Sequence, residues 1–366
     1  MTKLSLGLLG AGEVAQLIHL PILQQMQDRY QIAALYDPSP SVLNAVADKW
    51  AVSKRYDTVE TLLADEDVDA VMVLSPDQFH GEHARAALRA GKHVFLEKPA
   101  CLTVADLQSL IEVQQQTDRQ VMIGYMRCYA PAFMQGQKLL QQMSDIRYAR
   151  VRDLICEGPW FFRKWSEVVT PADDISADVL TSGRAKRLAD LTAVCGEDAP
   201  PAILKSYEVL TGLGVHSLSA VRMLLGSPRR VISAHVGQDG TQIHALLDYG
   251  NFVTSYECLI DDVVRFDATI EVLSRREELS IHYDTPYIRN LPGRTVFQAS
   301  SESDNSSQTF GPFYKDPFQV ELEHFHDVLT TGVPVRTHLH DAVRDLELCQ
   351  EIIKVAKLSF LRKYNK

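Results

Sequence analysis

The feature that most constrains this chain is the passage Leu4-Ser5-Leu6-Gly7-Leu8-Leu9 running into Gly10-Ala11-Gly12-Glu13-Val14-Ala15. A short apolar run suits a strand covered on both faces. The G-x-G-x-x-A after it places small residues where a chain turns from strand to helix and where backbone can approach a pyrophosphate. Out to about Tyr125 short apolar runs alternate with helical stretches, the rhythm of right-handed βαβ units in a parallel sheet. Strands are expected at Leu4–Leu9, Gln31–Tyr36, Ala70–Leu74, His93–Leu96 and Gln120–Ile123. Helices are expected at Glu13–Leu20, Ser41–Trp50, Val59–Ala64, Gly81–Ala90 and Ala105–Thr117, with Gly91 as the cap of the fourth.

This context makes residues 1–125 a Rossmann-type dinucleotide domain, with Gly10, Gly12, Glu13 and Val14 at the phosphates and the helix N-terminus supplying donors. Read without that context, the two glycines are simple turn residues. Asp37 closes the second strand 25 residues after Gly12. Its carboxylate would accept from an adenosine ribose and repel a 2′-phosphate, and no Arg follows it through Ser41, so NAD is preferred and NADP remains possible. Alternatively, Asp37 caps the next turn.

After about Met126 the grammar changes. Residues 147–157 read as a strand, 159–201 as an irregular insertion and 202–225 as one or two helices. From Arg230 to Ser301 six β-type runs (230–236, 241–248, 252–259, 264–273, 277–283 and 294–300) crowd together with turn signals such as Asp239-Gly240, an antiparallel meander. Ser300–Gln308 reads as a polar mobile loop, and helical stretches near 317–330 and 340–359 follow. The fold class is thus α/β: a Rossmann parallel sheet, then a second α/β domain over 126–366 with an open, mostly antiparallel sheet, whose terminal helices are free in sequence to pack back on the first domain.

Composition narrows the partners. With 366 residues and 46% hydrophobic content the chain can bury two cores. A formal net charge of −10 argues against nucleic acid, which wants a clustered basic face. No run approaches the roughly 20 apolar residues of a membrane span. Leu4–Gly12 is too short and Gly-broken for a secretory core, and Glu13 follows at once. The six cysteines (101, 128, 156, 195, 258, 349) show no C-x-x-C, which fits a reducing, cytoplasmic setting and makes the Asn305-Ser306-Ser307 sequon a chance match. His324/His326 and His338/His340 are spaced like ligand pairs, but i, i+2 neighbours on a helix diverge, so no metal is expected.

Two segments carry a resemblance: Ser75-Pro76-Asp77-Gln78-Phe79-His80, and Gly91-Lys92-His93-Val94-Phe95-Leu96-Glu97-Lys98-Pro99. The chain resembles the Gfo/Idh/MocA oxidoreductases, whose members typically read Thr-Pro-x-x-x-His and Gly-Lys-His-Val-x-x-Glu-Lys-Pro; Ser75 replaces the threonine. His19-x-Pro21, Gly124-Tyr125-x-Arg127 and Gly214-x-His216 extend it along nearly the whole chain. The resemblance implies that Ser75, Pro76, His80, Glu97 and Lys98 border the cofactor, that Lys98 lies beside the nicotinamide, that a cis peptide precedes Pro99, and that Glu97 orients the loop. A lysine at the carboxyl end of a parallel strand points into the crevice where such folds bind ligands, and its ammonium would stabilise a developing alkoxide. Without the resemblance, Lys98 is an ordinary solvated lysine.

His216 is the second catalytic candidate, opposite an apolar stripe of Leu210, Leu213, Leu218, Val221 and Leu224 and suited to take a hydroxyl proton; a core or merely substrate-contacting histidine is the alternative. Family members commonly carry Asp-x-x-x-His here and a further Asp three residues on, where this chain has Gly212 and Ser219. Asp173, Asp174 or Asp178 of the insertion could substitute, or the chemistry has changed. Tyr125 and Arg127 are implied to face the substrate pocket, with a structural salt bridge the competing role for Arg127. Trp160, with Phe161, Phe162 and Trp165, offers either a flat wall for a sugar ring or plain core. The expected activity is hydride transfer between NAD(P) and a secondary alcohol of a sugar, polyol or related molecule, in a homodimer or homotetramer. A redox-neutral enzyme that retains NAD and a non-catalytic nucleotide sensor are the alternatives.

Overall fold

Leu4–Leu9 forms β1, buried along its length except Ser5, and the chain turns through Gly10 and Gly12 into a helix. The computed structural model describes residues 2–162 and 166–364. The helix after β1 begins at Glu13 and Val14, passes through a π turn at Ala15–His19 and continues as α1 (Leu20–Gln25), so it runs a turn beyond its expected end. Next come β2 (Tyr30–Tyr36), α2 (Pro40–Lys49), β3 (Lys54–Tyr56), α3 (Val59–Leu63), β4 (Ala70–Val73), α4 (His80–Arg89), β5 (His93–Leu96), α5 (Val104–Gln115) and β6 (Val121–Ile123). Ser39, Thr58 and Thr103 accept from backbone N–H groups at the starts of α2, α3 and α5. Gly91 closes α4 with φ +74°.

The six strands lie parallel in the order β3-β2-β1-β4-β5-β6. The order reverses beside β1, which places the crevice at the carboxyl ends of β1 and β4. The sequence reading missed β3, a three-residue edge strand with no fully buried residue. Two compact units divide the chain: 1–124, 165–190 and 321–343 form the first, and 125–164, 191–320 and 344–366 the second.

In the second unit lie α6 (Pro131–Leu140), β7 (Tyr148–Cys156) and the short α7 (Pro159–Phe162). The region expected to be irregular instead contains α8 (Ala177–Cys195), nineteen residues long. Its first turns, residues 177–182, are exposed on every side, so the helix begins with no apolar stripe from which it could be read. α9 (Pro201–Val209) and α10 (Val215–Leu225) follow, joined by a π turn at Leu210–Gly214.

The expected β-runs become β8 (Arg230–Val236), β9 (Gln242–Asp248), β10 (Val253–Asp261), β11 (Phe266–Leu273), β12 (Glu277–Tyr283) and β13 (Gly293–Ser300). They are not one continuous meander. β7 inserts between β10 and β11, parallel to β10, because Ala149, Val151 and Ile155 bring apolar side chains to the buried face at that place. The expected mobile loop is also corrected. Residues 305–313 form β14, an edge strand paired with β13 from Ser300↔Asn305 onward, and its exposed polar side chains hid it from a hydropathy reading. The second unit packs α6 and α10 on one face of this eight-stranded sheet. α11 (Pro317–Thr331) and α12 (Leu339–Tyr364) complete the chain.

Candidate active site

In the first unit, Gly10 has φ +107°, and a Cβ there would stand 2.8 Å from the Leu74 carbonyl oxygen, so only glycine fits. A Cβ on Gly12 would meet nothing within 4 Å: the small residue leaves open the space a pyrophosphate needs. Glu13 and Val14 form the first helical residues beyond it. Asp37 Oδ2 accepts from Ala11 N at 2.9 Å and Oδ1 from Ser39 N at 2.9 Å, tying the glycine turn to the start of α2. Burial pushes the Asp37 carboxyl up; the two N–H groups pull it back, and the charge of Asp174 raises it again. The carboxylate has acceptor sites left for a diol. These features fit a dinucleotide.

The loops after β4 and β5 are joined by His80, which is buried with Nδ1 2.7 Å from Pro99 O and Nε2 2.7 Å from Ser75 O. Its contacts are therefore with the two loops themselves. Ser75 Oγ pairs with His83 Nδ1 at 2.8 Å, and Pro76 is exposed beside it. Glu97 is buried. Its Oε1 is 2.8 Å from His19 Nε2, and its Oε2 accepts from Lys98 N at 3.0 Å. Burial alone would push the Glu97 carboxyl up, but the His19 contact and the Lys98 charge bring it below its ordinary value. A Cβ on Gly124 would lie 3.3 Å from Glu97 Oε1, so that glycine gives the carboxylate its room. Lys98 is half-buried at the carboxyl end of β5, and its peptide bond to Pro99 is cis.

In the second unit Arg127 is buried and paired with Asp153 Oδ1 at 2.7 Å and with the Ser217 hydroxyl. Its guanidinium also lies over the Tyr283 and Phe266 rings, 5.2 and 6.0 Å from their centroids. The charge is thus neutralised inside the unit. Tyr125 is 1% exposed, and burial pushes its phenol well up. His216 is half-buried on the first turn of α10. Gly212 is exposed in the π turn before it, and Ser219 Oγ donates to the His216 carbonyl at 3.2 Å. The helix around His216 is buried on more sides than the expected stripe, since Ser217, Ser219, Ala220 and Arg222 are buried as well. Trp160 is 39% exposed, while Phe161 is buried against Phe266. Trp165 and the Phe162 side chain lie outside the described residues. A cavity of this unit is lined by Tyr283, Asp284, Asn290 and Lys315 among others.

Several contacts were not anticipated. Gln16 Nε2 donates to Ala11 O at 2.8 Å and to Val169 O at 2.9 Å, and its Oε1 accepts from Val169 N at 2.8 Å. Asp174, considered from sequence only as a partner for the histidine, is held in the first unit by Ser39 and Ser41. Neither contact leaves a local trace. Asp153 did leave one: it occupies an inward position in the alternation Ala149, Val151, Asp153, Ile155, where an acid needs a buried partner. His338 pairs with Asp341, and among the described residues no group of three or more His, Cys, Asp or Glu gathers as a metal site.

Comparison with known proteins agrees with this geometry. The model of the Gfo/Idh/MocA oxidoreductase family, with its NAD-binding Rossmann fold, matches residues 4–125. An inositol 2-dehydrogenase from Salmonella paratyphi B is 34% identical over 339 residues, covering 90% of this chain and 87% of that protein. The inositol 2-dehydrogenase 2 of Saccharopolyspora erythraea is 23% identical over 87% of this chain and 83% of its own length. Among solved structures, the aldose-aldose oxidoreductase of Caulobacter crescentus complexed with glycerol superposes with TM-score 0.73 at 20% identity, covering 98% of both chains. A 3-ketoreductase from Actinomadura kijaniata, in complex with NADP and TDP-benzene, gives 0.72 at 18% identity, covering 97% of this chain and 98% of that one. At those identities the two structures speak for the fold. The chain belongs to the Gfo/Idh/MocA family of oxidoreductases, and its residues 4–125 are the family's dinucleotide-binding Rossmann fold.

Proposed function

We propose that this chain is an NAD-dependent dehydrogenase oxidising a secondary alcohol of a polyol or sugar, with cyclic polyols of the inositol class as the first candidates. The observation that carries the reading is Lys98. Its half-buried side chain stands at the carboxyl end of β5, and its backbone is fixed by Glu97 on one side and by the His80-to-Pro99 contact on the other. Support for the substrate class comes from the inositol 2-dehydrogenase at 34% identity. Gly10, Gly12, Glu13, Val14, Asp37, Ser75 and Pro76 would hold the dinucleotide, which when bound supplies the hydride acceptor. Lys98 binds the substrate hydroxyl and stabilises the negative charge gathering on its oxygen. For His216 we propose the transfer of the hydroxyl proton, and for Tyr125, Arg127 and Trp160 a part in shaping the substrate pocket. Asp37, an acceptor without a following arginine, favours NAD over NADP.

The same reading places the protein in the cytoplasm, where six buried free thiols remain reduced. No described helix is long and apolar enough to cross a membrane. It also takes the sheet face bearing Arg150, Arg152, Asp267 and Glu271 as the contact of a homodimer or homotetramer.

The test is absorbance at 340 nm with NAD, then NADP, across inositols, linear polyols and aldoses, with Lys98→Ala as control. NADH formation with one substrate class, abolished by Lys98→Ala, is expected. Full activity of Lys98→Ala would overturn the assignment of the lysine. Substrate turnover without NADH release would replace the dehydrogenase with a redox-neutral enzyme.

A further inference from the structure

Residues 166–190 fold with the Rossmann unit although they lie far from it in sequence. They form a strap fastened at three places. Gln16, just after the glycine turn, grips both the N–H and the carbonyl of Val169. Farther on, Ala172 N donates to Ser41 Oγ at 3.2 Å, and Asp174 accepts from Ser39 Oγ and from Ser41 N, each at 2.6 Å. Finally Arg187 pairs with Asp77, and Gly183 lies against Phe79, in the turn after β4. The three fastenings fall on the glycine turn, the start of α2 and the loop after β4, the segments that border a dinucleotide in an open parallel sheet.

The middle fastening has a chemical meaning. With Asp37 accepting from the adenosine ribose, a phosphate ester on the 2′-oxygen would have to lie just beyond that carboxylate. The donors there are at the N-terminus of α2: the Ser39 and Ser41 hydroxyls and Ser41 N. In this chain all three are engaged. Asp174 takes Ser39 Oγ and Ser41 N, and Ser41 Oγ accepts from Ala172 N while paired with Ser39 Oγ at 3.0 Å. The hydrogen bonds from Ser39 and Ser41 hold the Asp174 carboxyl down at about 2, so it is charged at neutral pH. Asp37 and Asp174 also raise a joint negative field, since the charge of one is felt by the other.

We propose that Asp174 is a specificity-determining residue: its carboxylate occupies the anion-binding end of α2 and excludes the 2′-phosphate of NADP. The strap thus carries in its own sequence an ion that competes with the phosphate. NADP can bind only by displacing Asp174 or by setting its phosphate between two carboxylates, and like charges so placed are strongly disfavoured. NAD, which has a hydroxyl there, meets no such conflict. The inference rests on reading Asp37 as the ribose acceptor and NAD as the preferred dinucleotide.

The test measures dissociation constants of NAD and NADP by calorimetry, in phosphate-free buffer, for the wild-type chain and for Asp174→Ala, Asp174→Asn and Asp37→Ser. Circular dichroism checks that each variant is folded. The wild type should prefer NAD. Asp174→Ala should bind NADP more tightly by about tenfold or more, with the NAD constant changed by less than about twofold. Asp174→Asn, which keeps an acceptor but loses the charge, should fall between. A wild type that binds both dinucleotides equally would overturn the NAD reading itself. A wild type that prefers NAD, beside Asp174 variants that keep the same ratio while Asp37→Ser relaxes it, would leave that reading standing and overturn the role of Asp174. Parallel weakening of both dinucleotides in the Asp174 variants would also overturn it, since the strap would then act on the site as a whole.

Discussion

His83 offers a quantitative test of how the cleft is packed. It lies on α4, its Nδ1 2.8 Å from Ser75 Oγ and its ring stacked on Phe79 at 5.7 Å. Phe79 in turn meets Gly183 of the strap. Burial pushes the His83 pKa down from 6.5 to about 4, with His80 adding to the shift. The fold therefore holds a neutral ring, while the unfolded chain takes up a proton below about 6.5. Between the two values the unfolded state binds more protons, so stability rises with pH. The contribution is intact above about pH 6.5 and lost as pH falls toward 4. A shift of 6.5 − 4 = 2.5 units corresponds to about 3 kcal/mol in full, of which about 2 kcal/mol is gone at about pH 5. His83→Gln removes the titration and leaves an amide that can still pair with Ser75. Urea unfolding followed by circular dichroism, at about pH 7.5 and 5, should show the wild type losing about 2 kcal/mol more than the variant. His93, His282 and His324, also lowered by burial, are present in both proteins and cancel in the difference. A difference between the two proteins that stays the same at both pH values would refute the argument.

The buried pair of the second unit should behave asymmetrically. Asp153→Ala, which strands the Arg127 guanidinium, should cost about 3–5 kcal/mol, whereas Arg127→Met with Asp153→Leu should come within about 1 kcal/mol of the wild type in the same unfolding assay. Equal losses in the single and double variants would mean that the site depends on shape and not on charge pairing. Gly136 on α6 packs tightly on Ile281: a Cβ would lie 2.4 Å from its Cδ1 and 2.8 Å from its Cγ1, so that side chain would have to shift. Gly136→Ala should therefore lower stability by about 1–3 kcal/mol, and adding Ile281→Val should recover much of it; a second change that recovers nothing would show that the glycine is needed for another reason.

The parts of this molecule that were legible in its sequence are those whose causes lie close together along the chain. β1, the glycine turn and the following helix sit within some twenty residues, and His93–Leu96 agrees with the expected strand end for end, because continuous apolar runs between turns leave few alternatives. The second sheet was legible as strands but not as an order, since the insertion of β7 beside β10 depends on pairing between segments about a hundred residues apart. β14 and α8 escaped because both are largely exposed, so neither shows the burial period by which an element is recognised.

The site divides along the same line. Gly10, Gly12 and Asp37 could be named because a tight turn or a strand end suits their residue types, and Lys98 through the resemblance that the motif Gly91–Pro99 carries. Asp174 and Gln16 act across 135 and 153 residues, and their partners are a serine hydroxyl and backbone groups that any sequence supplies. This has a consequence for how the cofactor site can vary. The turn at Gly10 is fixed by φ and by the Leu74 carbonyl, and Glu97 by burial, so neither can change without cost to the fold. The strap is bound by a few hydrogen bonds at a half-exposed surface, where a substitution such as Asp174→Ala disturbs little packing. On the proposed role of Asp174, discrimination at the adenosine end would shift through the strap while the glycine turn and the Lys98 loop stay as they are.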